Sequence, residues 1–308
     1  MTGIEEDSAD RKNKKQVRKA RVSMRDVLLT AAPYSVVCGV LHLFAWVTFD
    51  RIWKNYRALP AAKRNEGHNR FVSLIHSSLM FALDLHYWQS NQIFTHDKNK
   101  VYSSMEKFMI DIMIGYLVYD LIFETFKGFG EASPVDPPQD TRAKITASSG
   151  KASDLTKVKA NRKYKGAIEQ VFIFLHHIAG LSSHISTRLS NNPMCYHYSM
   201  LVYLAESSTP TLNITWFLYE MKWDKNIFFS IIAYTTLLSF FVLRVLLSPY
   251  LVVHMVYYRA DWGDGTFLLF YGNLLIMTIF AALNFVWFYK LVNLKRKLDN
   301  NAKQQKVE

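Results

Sequence analysis

Residues 227–258 read IFFSIIAYTTLLSFFVLRVLLSPYLVVHMVYY, and this run decides the class of the fold. Its 32 residues include a single charged side chain, Arg244. A straight helix of this length measures about 48 Å at 1.5 Å per residue, whereas the hydrocarbon core of a bilayer is about 30 Å thick. We therefore predict a membrane-spanning helix that Pro249 bends or whose end protrudes from the bilayer.

Further apolar runs lie on both sides of this one and have about the length that spans a bilayer. Together they predict an all-α, polytopic membrane protein with about seven transmembrane helices, the fifth of them kinked at Pro210. The predicted spans are 27–49, 71–88, 108–126, 167–187, 194–219, 227–258 and 266–289.

The polar segments are concentrated in three places and carry much of the net charge of +12. Residues 1–26 form a basic tail that we expect to be poorly ordered, and residues 291–308 form a second basic tail. Residues 128–166 are rich in Pro, Ser, Asp and Lys and predict a flexible loop. With no nucleic-acid-binding motif present, this charge favours contact with anionic lipid headgroups over nucleic acid.

Basic residues predict the orientation of the chain, because the side that retains more Lys and Arg is usually cytoplasmic. With seven spans, the side that holds the C-terminus carries 23 basic residues and the other side carries 13. We therefore expect a cytosolic C-terminus and an N-terminus on the opposite side. The two cysteines, Cys38 and Cys195, lie within apolar runs and are predicted to be packing residues.

Three carboxylates lie in the third predicted span, where each costs roughly 2.5 to 3.5 kcal/mol at the bilayer centre. Asp120 and Glu124 are one helical turn apart and share a face with Tyr116, so we expect them to point inward. Arg244 and the histidines of the fourth span are available as their partners. Asp111 lies near the span end, where it can reach interfacial water. A polar network that only fixes helix packing is the alternative to a functional site.

The fourth predicted span contains FIFLHHIAGLSSH, residues 172–184, with three histidines. His177 and His184 are seven residues apart and lie within about 20° on one helix face, whereas His176 points about 100° away. Small residues between them let neighbouring backbones approach closely. One imidazole can therefore face a cavity while another is braced. The alternative is that each is a hydrogen-bonded packing residue.

Five separated motifs occur in one order: NRFVSLIHSS, IGYLVYDL, FLHHIAG, LVYLAESSTPTLNITWF and FFVLRVLLSPY. Over roughly residues 68–290 this order resembles the TLC-domain family, the membrane domain shared with ceramide synthases. The chain is most similar to the smaller, transmembrane-56-like members, whose double histidine precedes an E-x-S-x-P-x-x-N segment. That segment is matched here by Glu206, Ser208, Pro210 and Asn213.

The resemblance implies a six-helix barrel around a lipid-sized cavity, with the first span beside it, in the endoplasmic reticulum or a related membrane. It implies lipid homeostasis and transfer of an acyl group from acyl-CoA, as a co-substrate, to a sphingoid base or glycerophospholipid, without a metal or other cofactor. His176 or His177 would attack or activate the acyl group, and Asp120 or Glu206 would orient the imidazole. The substrate-binding candidates are Tyr116, His184, Glu206, Asn213 and Arg244.

Two departures from the family pattern bear on the acceptor. Thr215 stands where such relatives often have Arg, and the acidic pair that follows the double histidine in ceramide synthases is absent. The missing pair argues against ceramide formation, but not against acyl transfer to another lipid. From the costly polar groups we also predict that Asp120, His177 and Arg244 face one interior cavity.

Two other functions compete with acyl transfer. A catalytically silent protein that binds, senses or traffics lipid would need the same cavity. A di-iron hydroxylase or desaturase would need several clustered histidine boxes to supply its ligands, and the sequence contains none. The di-iron hypothesis is therefore disfavoured, whereas the sequence leaves the choice between enzyme and binding protein open.

Overall fold

The computed structural model describes residues 22–90, 104–130, 152–263 and 266–304. Within these ranges every regular element is a helix. The α-helices are α1 (Met24–Ile52), α2 (Lys54–Arg57), α3 (Ala61–Ser90), α4 (Ser104–Gly130), α5 (Ala152–Ser190), α6 (Pro193–Tyr203), α7 (Thr209–Glu220), α8 (Ile227–Phe240), α9 (Leu247–Tyr257) and α10 (Phe267–Gln304).

In the described part of the chain, three helical stretches are long and apolar enough to cross a membrane: Met24–Ile52, Ile227–Tyr257 and Phe267–Arg296. Large apolar side chains on their outer faces are exposed, among them Val36 of α1 and Leu238 of α8. Such faces suit lipid, where apolar side chains need no cover from the protein. The chain is therefore an all-helical, integral membrane protein.

The remaining predicted spans also form helices, but charged side chains interrupt their apolar runs. The fifth is broken by a 3₁₀ segment, Leu204–Ser208, so that α6 and α7 are separate short helices. Pro210 lies in the first turn of α7, where its missing N–H costs no helical hydrogen bond. The break therefore precedes Pro210, which starts the new helix.

The long run that begins at Ile227 changes to a π-helix at Phe241–Leu246 and then continues as α9. Pro249 of α9 cannot donate a hydrogen bond to Val245, which lies inside the π-helical segment. The irregularity thus lies directly before the proline, and it includes Arg244, the one charged residue of this run.

Close contact between α1 and α4 depends on Gly115. A Cβ atom added at Gly115 would lie 2.6 Å from both the Ala31 carbonyl oxygen and the Tyr34 Cβ. The Ser35 hydroxyl also donates a 2.7 Å hydrogen bond to the Gly115 carbonyl. A small residue at this place lets the two backbones approach, as at many membrane helix interfaces.

The other helices pack in a sequence of neighbours. α4 contacts α3 and α5, and α5 contacts α10. α10 contacts α9 and the π-helical segment, α8 contacts α7, and α7 contacts α3. Cys195 belongs to the main buried cluster and Cys38 to a smaller one, which confirms that both cysteines are packing residues.

Three predicted boundaries differ from the structure. The first helix begins at Met24, where Ser23 and Asp26 form a capping box. Residues 152–166 are helical and not a loop, because this stretch is rich in Lys, Ala and Arg and has no Gly or Pro before Gly166. Residues 291–304 continue α10. The predicted disorder of residues 1–21 and the loop at 131–151 lie outside the described residues.

Candidate functional site

A buried contact between a carboxylate and an imidazole joins α4 and α5. His177 Nε2 lies 2.8 Å from Asp120 Oδ2, with 13 % and 6 % of the two side chains exposed. The Asn69 side chain of α3 donates a 2.8 Å hydrogen bond to the other Asp120 oxygen. Asp120 thus holds His177 and is itself held by a third helix. A carboxylate placed in this way fixes the orientation of an imidazole ring.

The neighbouring His176 points to a different part of the interior. Its ring lies 4.6 Å from that of Phe280 and 5.1 Å from that of Trp287, measured between centroids. Its Nδ1 is buried and has no hydrogen-bond partner among the described residues. The rings of His176 and His177 are 5.5 Å apart. One histidine of the pair is therefore braced by a carboxylate, and the other offers a ring nitrogen with no partner.

His176 lines a cavity of about 70 Å³ between α4, α5, the α6–α7 break, the π-helical segment, α9 and α10. Its walls are mostly apolar, and its polar lining includes His184, Glu206 and Arg244. A cavity of this volume holds a few water molecules and is smaller than the range of about 300–1,000 Å³ that ligand pockets occupy. Asp120 and His177 do not belong to this lining.

The prediction that Asp120, His177 and Arg244 face one cavity is therefore wrong in part. Arg244 lines the cavity, whereas Asp120 and His177 lie behind its wall, in contact with each other. His177 and His184 were expected to share one helix face. Only His184 lines the cavity, together with His176. Residues eight positions apart differ by only about 80° around a helix, so a broad cavity reaches both.

Arg244 has different partners from those expected. Its Nη2 lies 3.3 Å from Glu206 Oε1, and its guanidinium donates hydrogen bonds of 2.8 Å to Ser208 and Thr209. All three partners come from the break between α6 and α7. The sequence suggested Arg244 as a partner for Asp120 or Glu124, but the cation pairs with Glu206 across the cavity wall.

Among the other substrate-binding candidates, His184 and Glu206 line the cavity, whereas Tyr116 and Asn213 lie outside its lining. His184 is buried, and its Nδ1 lies 3.4 Å from the Tyr203 hydroxyl. Tyr116 stacks on His76 with ring centroids 3.9 Å apart. The Asn213 side chain donates to Ser73 and its oxygen accepts from Arg70. Tyr116 and Asn213 thus support the surrounding helices.

The sequence analysis missed a buried ion pair between Asp111 and Arg188. Asp111 does not reach interfacial water: it is 6 % exposed and accepts hydrogen bonds of 2.7 and 3.1 Å from Arg188. Arg188 also donates to the Tyr196 hydroxyl. Arg188 follows the fourth predicted span directly and was counted as a loop residue. The sequence did contain a signal for this pair. Arg188 lies at the end of one apolar run, and Asp111 lies near the start of the third span.

Two further polar groups of α3 were also missed, the half-buried Asn69 and the buried His76. Asn69 is adjacent to Arg70 in a polar stretch before the predicted second span, so nothing in the sequence indicated that its side chain faces Asp120. Within the described part of the chain, no three His, Cys, Asp or Glu side chains are grouped so that they could hold a metal ion.

Comparison with known proteins adds the family to this geometry. A family model described as the TLC domain matches residues 66–293, which is most of the chain and includes all the polar groups of the cavity. Neither a curated protein nor a solved structure gives a significant match. Members of this family are typically membrane proteins of lipid metabolism or lipid sensing. With the match extending over α3 to α10, the chain belongs to the TLC-domain family.

Proposed function

We propose that this protein acts in lipid homeostasis as an acyltransferase, which takes an acyl group from a long-chain acyl-CoA and transfers it to a membrane lipid. One observation carries the proposal. His176 presents a buried ring nitrogen, without a partner among the described residues, at a mostly apolar cavity, beside a His177 that Asp120 holds at 2.8 Å. This is the arrangement of a reactive imidazole next to an oriented one.

In the first step a ring nitrogen of His176 attacks the thioester carbonyl, and the carbon–sulfur bond breaks. The leaving thiolate takes the proton that the other ring nitrogen loses, so a neutral acyl-imidazole and a thiol result. In the second step the hydroxyl or amine of the acceptor attacks the acyl carbon, and the carbon–nitrogen bond breaks. His177 accepts the proton of the acceptor and passes it to the departing imidazole of His176.

His177 has the role of a base in the second step. The Asp120 carboxylate only accepts hydrogen bonds, so a neutral His177 carries its proton on Nε2 and leaves Nδ1 with a lone pair. That Nδ1 is buried and has no partner within the described ranges. Asp120 stabilises the imidazolium that forms when His177 accepts a proton, and Asn69 positions Asp120.

The proposal includes a barrel of six membrane-spanning units, with α1 beside it, and thus seven spans. The neighbours α3, α4, α5, α10, the α8–α9 unit and the α6–α7 unit form a closed sequence of contacts, and α1 packs on α3 and α4. We also assign the chain to the transmembrane-56-like members, on the pattern Glu206, Ser208, Pro210 and Asn213.

The direct test is the incubation of the purified protein with labelled acyl-CoA and a panel of sphingoid and glycerophospholipid acceptors. Replacing Asp120 by Asn should lower turnover by about 100-fold or more, because an amide does not stabilise a developing imidazolium. Glu124→Gln, which removes a carboxylate one turn away, is the matched control. If the unmodified protein forms no labelled product, the proposal that it is an acyltransferase is wrong.

We place the protein in the endoplasmic reticulum membrane on its resemblance to the TLC-domain family. We place its C-terminus in the cytosol on the excess of 23 over 13 basic residues. Arg188 was counted on the side with 13 basic residues. Because it is buried beside Asp111, it is not a loop charge, so the difference in basic residues between the two sides increases. Tags at the C-terminus should be reached by antibody after selective permeabilisation of the plasma membrane. A tag that is reached only after the reticulum membrane is opened would reverse the orientation.

A second candidate is lipid binding without turnover. It is favoured by the separation between the cavity and the Asp120–His177 pair, because the pair does not line the space that a lipid would occupy. Such a protein would tolerate His177→Gln with little loss of lipid affinity and would form no labelled product. The same assay with this variant distinguishes the two functions.

A further inference from the structure

We infer that residues 51–57, which we call the α2 corner, bind the headgroup of a membrane phospholipid that carries a phosphate monoester. The α2 corner reads RIWKNYR and contains the end of α1 and all of α2. The inference goes beyond acyl transfer. It concerns a surface of the protein, and it holds whether or not the protein turns over a thioester.

Three basic side chains of the α2 corner are exposed: Arg51, Lys54 and Arg57. Among the described residues, none of these side chains has a hydrogen-bond or ion-pair partner. Lys54 and Arg57 are three residues apart in α2, so their side chains are neighbours on one helix face. A phosphate group can therefore contact both cations at once, and Arg51 precedes them by one further step of three residues.

The acidic side chains near the α2 corner already have basic partners, and each of these partners lies on α3. The pairs are Asp50 with Arg64 at 4.0 Å, Glu66 with Arg70 at 2.8 Å, and Glu220 with Lys63 at 2.6 Å. They use three of the six Lys and Arg residues between positions 50 and 70. The other three are those of the α2 corner, whose positive charge a headgroup can neutralise.

The α2 corner is fixed to α3 from the inside by Tyr56. Tyr56 is 1 % exposed, and its hydroxyl donates a hydrogen bond to the Arg64 carbonyl. A Cβ atom added at Gly67 would lie 2.9 Å from the Tyr56 Cε2, so the ring packs directly on the backbone of α3. The Arg64 guanidinium also donates to the Arg57 carbonyl at 3.1 Å. Because this backbone is held, a ligand need not order a loop in order to meet the cations.

Two apolar side chains of the α2 corner indicate that its ligand is a lipid. Ile52 is 78 % exposed and Trp53 is 39 % exposed. The corner directly follows a helix that is long and apolar enough to cross a membrane, so it lies at the level of the lipid headgroups. Trp, Lys and Arg are the side chains that anchor this interface. A phospholipid can contact Ile52 and Trp53 with its glycerol and acyl part, whereas a soluble phosphate compound cannot.

The number of cations favours a phosphate monoester over the other headgroups. A monoester carries about 1.5 to 2 negative charges at pH 7 and offers three strong acceptor oxygens. Arg51, Lys54 and Arg57 supply one cation for each oxygen. The diester of phosphatidylglycerol carries one negative charge, and phosphatidylcholine has no net charge. In the orientation that we propose, the corner faces the cytosolic leaflet, where anionic lipids are concentrated.

The test is native mass spectrometry of the purified full-length chain in detergent, titrated with phosphatidic acid, phosphatidylglycerol or phosphatidylcholine of the same acyl chains. Phosphatidic acid should occupy half of the protein at a concentration about fivefold lower than phosphatidylglycerol does, and phosphatidylcholine should bind weakest. Glycerol phosphate, the soluble form of the same headgroup, should bind about tenfold or more weaker than phosphatidic acid. It lacks the part that contacts Ile52 and Trp53.

The variant that tests the site replaces Arg51, Lys54 and Arg57 by Gln. All three side chains are exposed, so the protein should fold normally. Each cation near a membrane surface contributes a factor of about five to the attraction of an anionic lipid. The triple variant should therefore bind phosphatidic acid on the order of 100-fold more weakly and should lose its preference over phosphatidylglycerol.

The matched control replaces three other exposed basic residues by Gln: Lys222, Lys225 and Arg296. This variant has the same net charge as the first one, but its α2 corner is intact. It should keep the preference for phosphatidic acid and lose less than about twofold in affinity, because the removed charges lie outside the corner.

Three outcomes would overturn the inference. Equal binding of phosphatidic acid and phosphatidylglycerol would show no recognition of a monoester. Equal losses in the two triple variants would show attraction by the total charge and not by a site. Glycerol phosphate that binds as tightly as phosphatidic acid would show a soluble ligand and not a lipid. None of these measurements involves turnover, so a failure here leaves the acyl-transfer proposal standing, and a failure of that proposal leaves this one standing.

Discussion

Replacement of His176 by Ala should reduce acyl transfer from labelled acyl-CoA to background, a loss of roughly 1,000-fold or more. The physical reason is that His176 is the histidine whose ring lines the cavity and whose Nδ1 has no partner among the described residues. The other histidine of the lining, His184, does not neighbour a histidine that a carboxylate holds. The measurement is the initial rate of labelled product formation, together with the elution profile of the variant as a check on folding.

The control for this prediction is His68→Ala. It removes a buried imidazole in α3 that does not line the cavity, so it should leave the rate largely unchanged. His177→Ala should lower the rate without preventing the covalent step. Mass spectrometry of the protein quenched after mixing with acyl-CoA should then find the acyl group on His176. An undiminished rate in His176→Ala would refute the assigned nucleophile.

Replacement of Asp111 by Asn should be the most destabilising single change in the buried polar network. It leaves the Arg188 cation buried with only the Tyr196 hydroxyl and the remaining amide as partners. Breaking one partner of a buried ion pair typically costs about 3–5 kcal/mol. We expect a lower midpoint for heat-induced loss of the monodisperse peak of the purified protein in detergent.

The double variant Asp111→Leu with Arg188→Met provides the second arm of this experiment. Removing both charges avoids an unpaired ion, so most of the lost stability should return. Glu66→Gln is a matched control, because both side chains of its ion pair with Arg70 are partly exposed, at 32 and 28 %. Such pairs contribute about 0–1 kcal/mol. A midpoint in Asp111→Asn no lower than in Glu66→Gln would contradict the prediction.

Much of the polar interior was visible in the sequence because charged groups stand out in apolar runs. Asp120, Arg244 and the histidine pair were selected on the cost of placing them in hydrocarbon. The structure joins Asp120 to His177, one of the partners that the sequence offered. Whether these residues act chemically stays a prediction.

The pairings of Arg244 and Asp111 could not be predicted in the same way. Helical periodicity gives the face of a residue on its own helix, but not the rotation of that helix against its neighbours. Arg244 lies in a π-helical segment, which alters the register that a regular α-helix would impose. Its actual partners come from a 3₁₀ break that no apolar pattern indicates.

The sequence by itself determined that this chain is helical and integral to a membrane, because long apolar runs can satisfy their backbone hydrogen bonds in hydrocarbon only as helices or closed barrels of strands. It also determined the family, through motifs whose order does not depend on packing. Only the tertiary structure decided that His176, His184, Glu206 and Arg244 share a cavity while Asp120 and His177 lie behind its wall. The physical reason is that contacts between helices depend on depth, rotation and local departures from α-helical geometry, which are set by the packing of all the helices together.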